Sequence, residues 1–122
     1  MNTFFQRLSL ACLVASALGL AACDDGRDEH KPASGLGAIQ VDNNTSTDLD
    51  VYVDGVKLGQ VDTYKDEAYD LAPGLHRVVL DERGDGDKSD ARDVDVLEGK
   101  TTVLDVSVPF VGAGYDVVVF FD

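Results

Sequence analysis

The sequence predicts an all-β protein, a small antiparallel β-sandwich of about seven strands that follows a helical leader and a flexible tether. Three observations predict it. From Ala38 onward apolar and polar residues alternate with period two, the pattern of half-buried strands. Glycine-containing pairs, Asp54-Gly55, Pro73-Gly74 and Glu98-Gly99, punctuate those runs where tight turns are needed. Beyond the first 22 residues no stretch of helical length carries a helical apolar period.

The leader comes first. Met1 to Arg7 is short and carries one positive charge, Leu8 to Ala22 is almost wholly apolar, and the run stops at Asp24-Asp25. This is the three-part layout of a secretory signal, and the apolar run is shorter than the ~20 residues that span a bilayer. At its end Leu20-Ala21-Ala22-Cys23 resembles the lipobox of bacterial lipoproteins in all four positions. That resemblance implies cleavage between Ala22 and Cys23, a diacylglyceryl group on the Cys23 thiol and acylation of the new amine. It further implies a lipid-anchored protein of the bacterial cell envelope, with inner or outer membrane left open. Several buried acyl chains anchor durably where one binds only marginally. Of the two cysteines, Cys12 leaves with the leader, so no disulfide within the mature chain is expected.

Asp24 to Gly37 holds charges, a proline and glycines with no apolar period, and residues 23–37 are expected to form a flexible acidic linker. His30, within it, reads as a solvated tail residue. The β-domain is expected over residues 38–122. Ile39 and Val41 define its first strand, and Leu49, Val51 and Val53 the second; Asp54-Gly55 supplies a hairpin turn, because glycine tolerates the left-handed conformation that primed turns require. A short strand through Lys57 and Leu58 is expected to end at Gly59. Asp62 to Asp70 is polar and ambiguous, with Ala68 to Leu71 a candidate edge strand. After Pro73-Gly74, His76, Val78 and Leu80 share one face of the next strand. Val94 and Val96 alternate with Asp93 and Asp95, and Glu98-Gly99 turns the chain into Thr102, Leu104, Val106 and Val108. Phe110 to Gly114 makes a bend. Tyr115 to Phe121 is apolar on both faces in its centre, which predicts a strand covered on both sides or paired centrally.

A formal charge of -13 makes the chain strongly acidic, and loss of the leader, whose one charged side chain is Arg7, takes it to -14. Such a field repels phosphate backbones and argues against nucleic acid as a partner. It leaves solubility, cations or a basic protein as its roles.

Val51-Tyr52-Val53-Asp54-Gly55 with Leu58-Gly59, then Leu71-Ala72-Pro73-Gly74-Leu75-His76 with Val78 and Leu80, then Val94, Val96, Glu98-Gly99 and Thr101 to Leu104 resemble the PEGA family. The match runs from Leu49 to about Val108. Two departures stand out: Ala72 replaces the family's first turn proline, and the loop Asp81 to Asp93 is more acidic than usual. The resemblance implies a compact β-sandwich of the kind that serves as an accessory unit beside other domains, a binding or spacer module with no catalytic residues; another envelope protein is the expected partner.

The residue inventory agrees with a non-enzyme. His76 is the one histidine of the expected domain, and its parity places it inward as a core or turn-bracing group, whereas a general base must reach substrate. Beyond the lipid on Cys23 no cofactor is expected. One metal candidate stands out: Asp85, Asp87 and Asp90 in RGDGDKSDARD alternate oxygens with glycine as calcium loops do. The EF-hand template, counted from Asp85, nevertheless meets Asp90 where glycine belongs and Val96 where a bidentate glutamate belongs. A calcium- or carbohydrate-binding domain using this loop is the alternative expectation.

Overall fold

The structure, a computed structural model, describes residues 30–84 and 88–122. These residues form eight strands: β1 (Gly37–Asn43), β2 (Leu49–Val53), β3 (Val56–Val61), β4 (Asp66–Leu71), β5 (Gly74–Glu82), β6 (Ser89–Val96), β7 (Thr101–Ser107) and β8 (Asp116–Phe121). They build two four-stranded sheets, β4-β1-β7-β8 and β3-β2-β5-β6. The predicted all-β, two-sheet architecture is thus present, with one strand more than the sequence suggests: the ambiguous polar stretch forms β4, an edge strand that starts at Asp66.

One pairing is not antiparallel. β1 lies parallel to β7, Ile39 opposite Thr102 and Val41 opposite Leu104, while its other side pairs antiparallel with β4. A parallel pair needs a long crossover, and here the crossover runs from β2 to β6, the whole second sheet together with β4. Every other pairing is antiparallel.

The inward residues of both sheets follow the period-two reading. Ile39, Val41, Leu49, Val51, Val53, Val61, Val78, Leu80, Val94, Val96, Leu104, Val106 and Val117 form one buried cluster, flanked by Tyr69, Leu71 and Tyr115. Burial of each such valine or leucine side chain contributes about 1.5–3 kcal/mol against leaving it in water.

Local chemistry explains the connections. Asp54 and Gly55 both take positive φ, 51° and 86°, between the paired Val53 and Val56, the backbone of a two-residue primed hairpin. β3 continues past Gly59, where the sequence suggested it would stop: Gly59 pairs with Val51, and the register shift beside it leaves Leu58 as the extra residue of a bulge. A Cβ at Gly59 would lie 2.9 Å from the Tyr69 hydroxyl of the facing sheet, so the glycine admits a close approach rather than ending the strand.

The turn between β1 and β2 is organised by a buried polar residue that alternation does not reveal. Asn43 is 1% exposed. Its amide donates to the carbonyls of Thr47 (2.8 Å), Val61 (3.1 Å) and Asp62 (3.2 Å), and its Oδ1 accepts from the backbone N–H (3.0 Å) and the hydroxyl (2.6 Å) of Thr45. Full satisfaction is what permits an amide to be buried in an apolar core.

β8 departs from expectation. Instead of being covered on both sides it is the outer strand of its sheet, paired among the described residues with β7 alone, and Val117 is the one buried side chain in it.

Candidate functional site

Ala22 and Cys23, the expected cleavage and lipidation positions, lie outside the described residues, as do Asp85 and Asp87. Asp90 is described. It sits on β6, and its two carboxylate oxygens accept from Arg92, Oδ2 from Nε at 2.8 Å and Oδ1 from Nη2 at 3.0 Å. This is a fork pair, the geometry in which guanidinium binds carboxylate most specifically. A cation at Asp90 has to compete with it. Among the described residues no group of three His, Cys, Asp or Glu side chains converges as metal ligands would.

His76 braces the turn that opens β5, one of the two roles its position left open. Its Nε2 lies 2.7 Å from the Ala72 carbonyl and its Nδ1 2.6 Å from Asp54 Oδ2. A carbonyl and an ionised carboxylate only accept, so the two contacts together favour the doubly protonated ring, the imidazolium. The Ala72 carbonyl and the Asp54 carboxylate accordingly raise the His76 pKa above the ordinary imidazole value. Asp54 also accepts from the Arg77 N–H at 2.9 Å, and that bond, with His76, holds its carboxyl below the usual range. The lock joins the β2–β3 turn to the start of β5. With both nitrogens engaged, the ring is not free to act as a general base.

Residues 30–36, assigned by sequence to the tether, lie against the first sheet. His30 Nε2 is 2.6 Å from Asp70 Oδ1 on β4, the Ala33 N–H donates to Asp70 Oδ2 at 3.1 Å, and the Thr101 hydroxyl donates to the His30 carbonyl at 3.1 Å. His30 is therefore bonded rather than solvated, and its bond, with that from Ala33, depresses the Asp70 pKa. An open hollow of about 150 Å³ lies here, lined by His30, Lys31, Pro32, Gly99, Thr101 and Asp122. The amino end of the described unit thus emerges beside the carboxyl end of β8.

β8 itself is the feature that sequence reading missed. Val118, Val119, Phe120 and Phe121 are 57, 37, 42 and 53% exposed, and in the preceding bend Phe110 is fully exposed and Val111 largely so. The Asp122 N–H donates to the Thr101 carbonyl at 2.9 Å. Alternation in an antiparallel ladder then turns the N–H and C=O of Val117, Val119 and Phe121 toward the open edge. Arg92 Nη1 donates to the Val117 carbonyl at 3.2 Å, which agrees with that assignment and closes the amino end of the edge. Unpaired backbone groups flanked by apolar side chains are a template for another strand.

No family model matches the chain, and no curated protein matches it. Solved structures do. The fold defined above, two antiparallel-rich sheets packed face to face, is one the chain shares with a small domain of known structure. The C-terminal domain of AlgF from P. aeruginosa matches with a TM-score of 0.54 at 16% identity, over 73% of this chain and 100% of that one. The N-terminal domain of the same protein matches with a TM-score of 0.49 at 19% identity, over 74% and 98%. At these identities the likeness to the C-terminal domain concerns fold alone.

Proposed function

We propose that this chain is a membrane-anchored lipoprotein of the bacterial cell envelope whose PEGA-like sandwich is a non-enzymatic accessory module that docks an envelope protein. The observation that carries the docking role is β8, an edge strand whose backbone is unpaired at Val119 and Phe121 and whose side chains are apolar on both faces. Such an edge is covered by protein more readily than by water. The non-enzymatic reading is supported by His76, whose ring nitrogens are both committed to the turn lock.

Anchoring is supported by Leu20-Ala21-Ala22-Cys23. Seven residue steps from Cys23 to His30 reach at most ~25 Å, so the anchor would hold the sandwich close to the bilayer. Cys23→Ser tests this directly. The parent protein is expected in the membrane fraction and labelled by palmitate, and the variant soluble and unlabelled; identical fractionation of the two would end the proposal.

A further inference from the structure

We propose that the strand covering β8 is β8 of a second copy of this chain, paired antiparallel about a two-fold axis through Phe120. This rests on the reading of the domain as a protein-binding module and names its partner.

The first argument is the contrast among sheet edges. The two sheets end in β4, β8, β3 and β6. β4 carries Asp66, Glu67 and Asp70, β3 carries Lys57, and β6 carries Asp90, Arg92, Asp93 and Asp95. Charges on an edge discourage pairing with other chains. Val117 to Phe121 holds neither a charge nor a proline, so one edge of four is left unguarded.

The second argument is self-complementarity. A strand exposing apolar side chains on both faces calls for a partner that is apolar on both faces. Among the described strands β8 is the one exposing such residues on both. Two copies of one edge also form an isologous, closed contact, the commonest symmetry of soluble oligomers.

Register follows from the edge itself. A two-fold axis normal to the sheet keeps each side chain on its own face, so paired residues share parity and the axis passes through a residue. Centring on Val119 would set Asp116 against Asp122 of the second copy at both ends, a like-charge pairing that destabilises a sheet. Centring farther toward the amino end would run the second strand against Arg92, which already holds the Val117 carbonyl. Centring on Phe120 avoids both. It pairs Val119 with Phe121 of the second copy twice, through the backbone groups that face outward, and brings Phe120 against its own counterpart in a close, non-hydrogen-bonded position. Aromatic pairs across strands are favourable there.

The contact is small. An overlap of this length buries on the order of 1,000 Å² counting both copies, the low end for specific interfaces. Each copy also carries strong negative charge. Association is therefore weak in dilute solution, strengthens as salt screens the repulsion, and gains from confinement to a membrane, where effective concentration is high. A basic partner would show the opposite salt dependence.

The test uses the full-length protein in its native membrane. Phe120→Cys, with Lys57→Cys on the β3 edge as control, is oxidised mildly and the product identified by mass spectrometry. A homodimeric disulfide at least tenfold more abundant for Phe120→Cys is expected. Separately, recovery of one tagged copy by another is expected to fall at least tenfold in Phe120→Lys and in Phe120→Glu, and to return when the two variants are expressed together. Misfolding cannot produce that rescue. If Phe120→Cys instead joins a different envelope protein, self-pairing is overturned and the module reading stands; if β8 joins nothing, both fall.

Discussion

Asp54 shows how one carboxylate in a turn ties three segments together. It accepts from the Arg77 N–H, closes the β2–β3 hairpin and bonds His76, whose other ring nitrogen reaches the Ala72 carbonyl. The signs of the two pKa displacements define a window. His76 is raised, so its contribution is full below the ordinary imidazole value of 6.5 and fades as pH climbs through the higher folded value. Asp54 is lowered, so its contribution is present above 3.8 and fades as pH falls through the lower folded value. The lock is therefore complete between 3.8 and 6.5. Thermal unfolding of the parent and of Asp54→Asn should differ most within that window, and the difference should narrow toward pH 9 as the His76 charge is lost while the Arg77 N–H bond to Asp54 remains. A gap independent of pH would remove the imidazolium from the account. The inward parity of His76 with Val78 and Leu80 was legible, and it left a core and a turn-bracing role equally open. Its carboxylate partner was not legible: Asp54 lies 22 residues away and reads in sequence as one more solvated acid of an acidic chain.

Among the elements, β7 and β8 are neighbours with opposite fates. Leu104 on β7 is fully buried, and Leu104→Ala is expected to destabilise by about 2–5 kcal/mol. Val118 on β8 is 57% exposed, and Val118→Ala should change stability by less than about 0.5 kcal/mol in dilute protein. Urea unfolding of both variants checks the contrast, and equal losses would mean that β8 is packed after all. The inner faces of β1, β2, β5, β6 and β7 were readable because valine and leucine alternate there with charged or polar residues. β8 was misread for a reason of principle. A run apolar on both faces looks the same whether its cover comes from its own chain or from elsewhere. Gly59 misled in a similar way, since a glycine that ends a strand and one that admits a tyrosine from the facing sheet leave the same mark in sequence.

On the scale of the whole molecule, two sheets enclose one core, and negative charge surrounds them. Self-repulsion of that charge opposes the compact state, so the urea midpoint at neutral pH should rise as sodium chloride is raised from about 0.01 to about 0.5 M, over which the screening length shrinks from ~30 Å to a few ångströms. A flat response would show that paired charges such as Asp90 with Arg92 already neutralise the effect. The sandwich itself was legible, because short strands with inward valines at regular spacing need a second sheet to bury them. The parallel contact of β1 with β7 was not, since alternation fixes which face a strand buries and leaves open which distant strand lies beside it. That contact has a mechanical corollary. A pull on the amino end of the folded unit runs along the axis of β1, which is zipped to β4 on one flank and to β7 on the other. Such a load must shear both rows of bonds together instead of peeling them singly, so the end nearest Cys23 is the one the fold is best arranged to be held by.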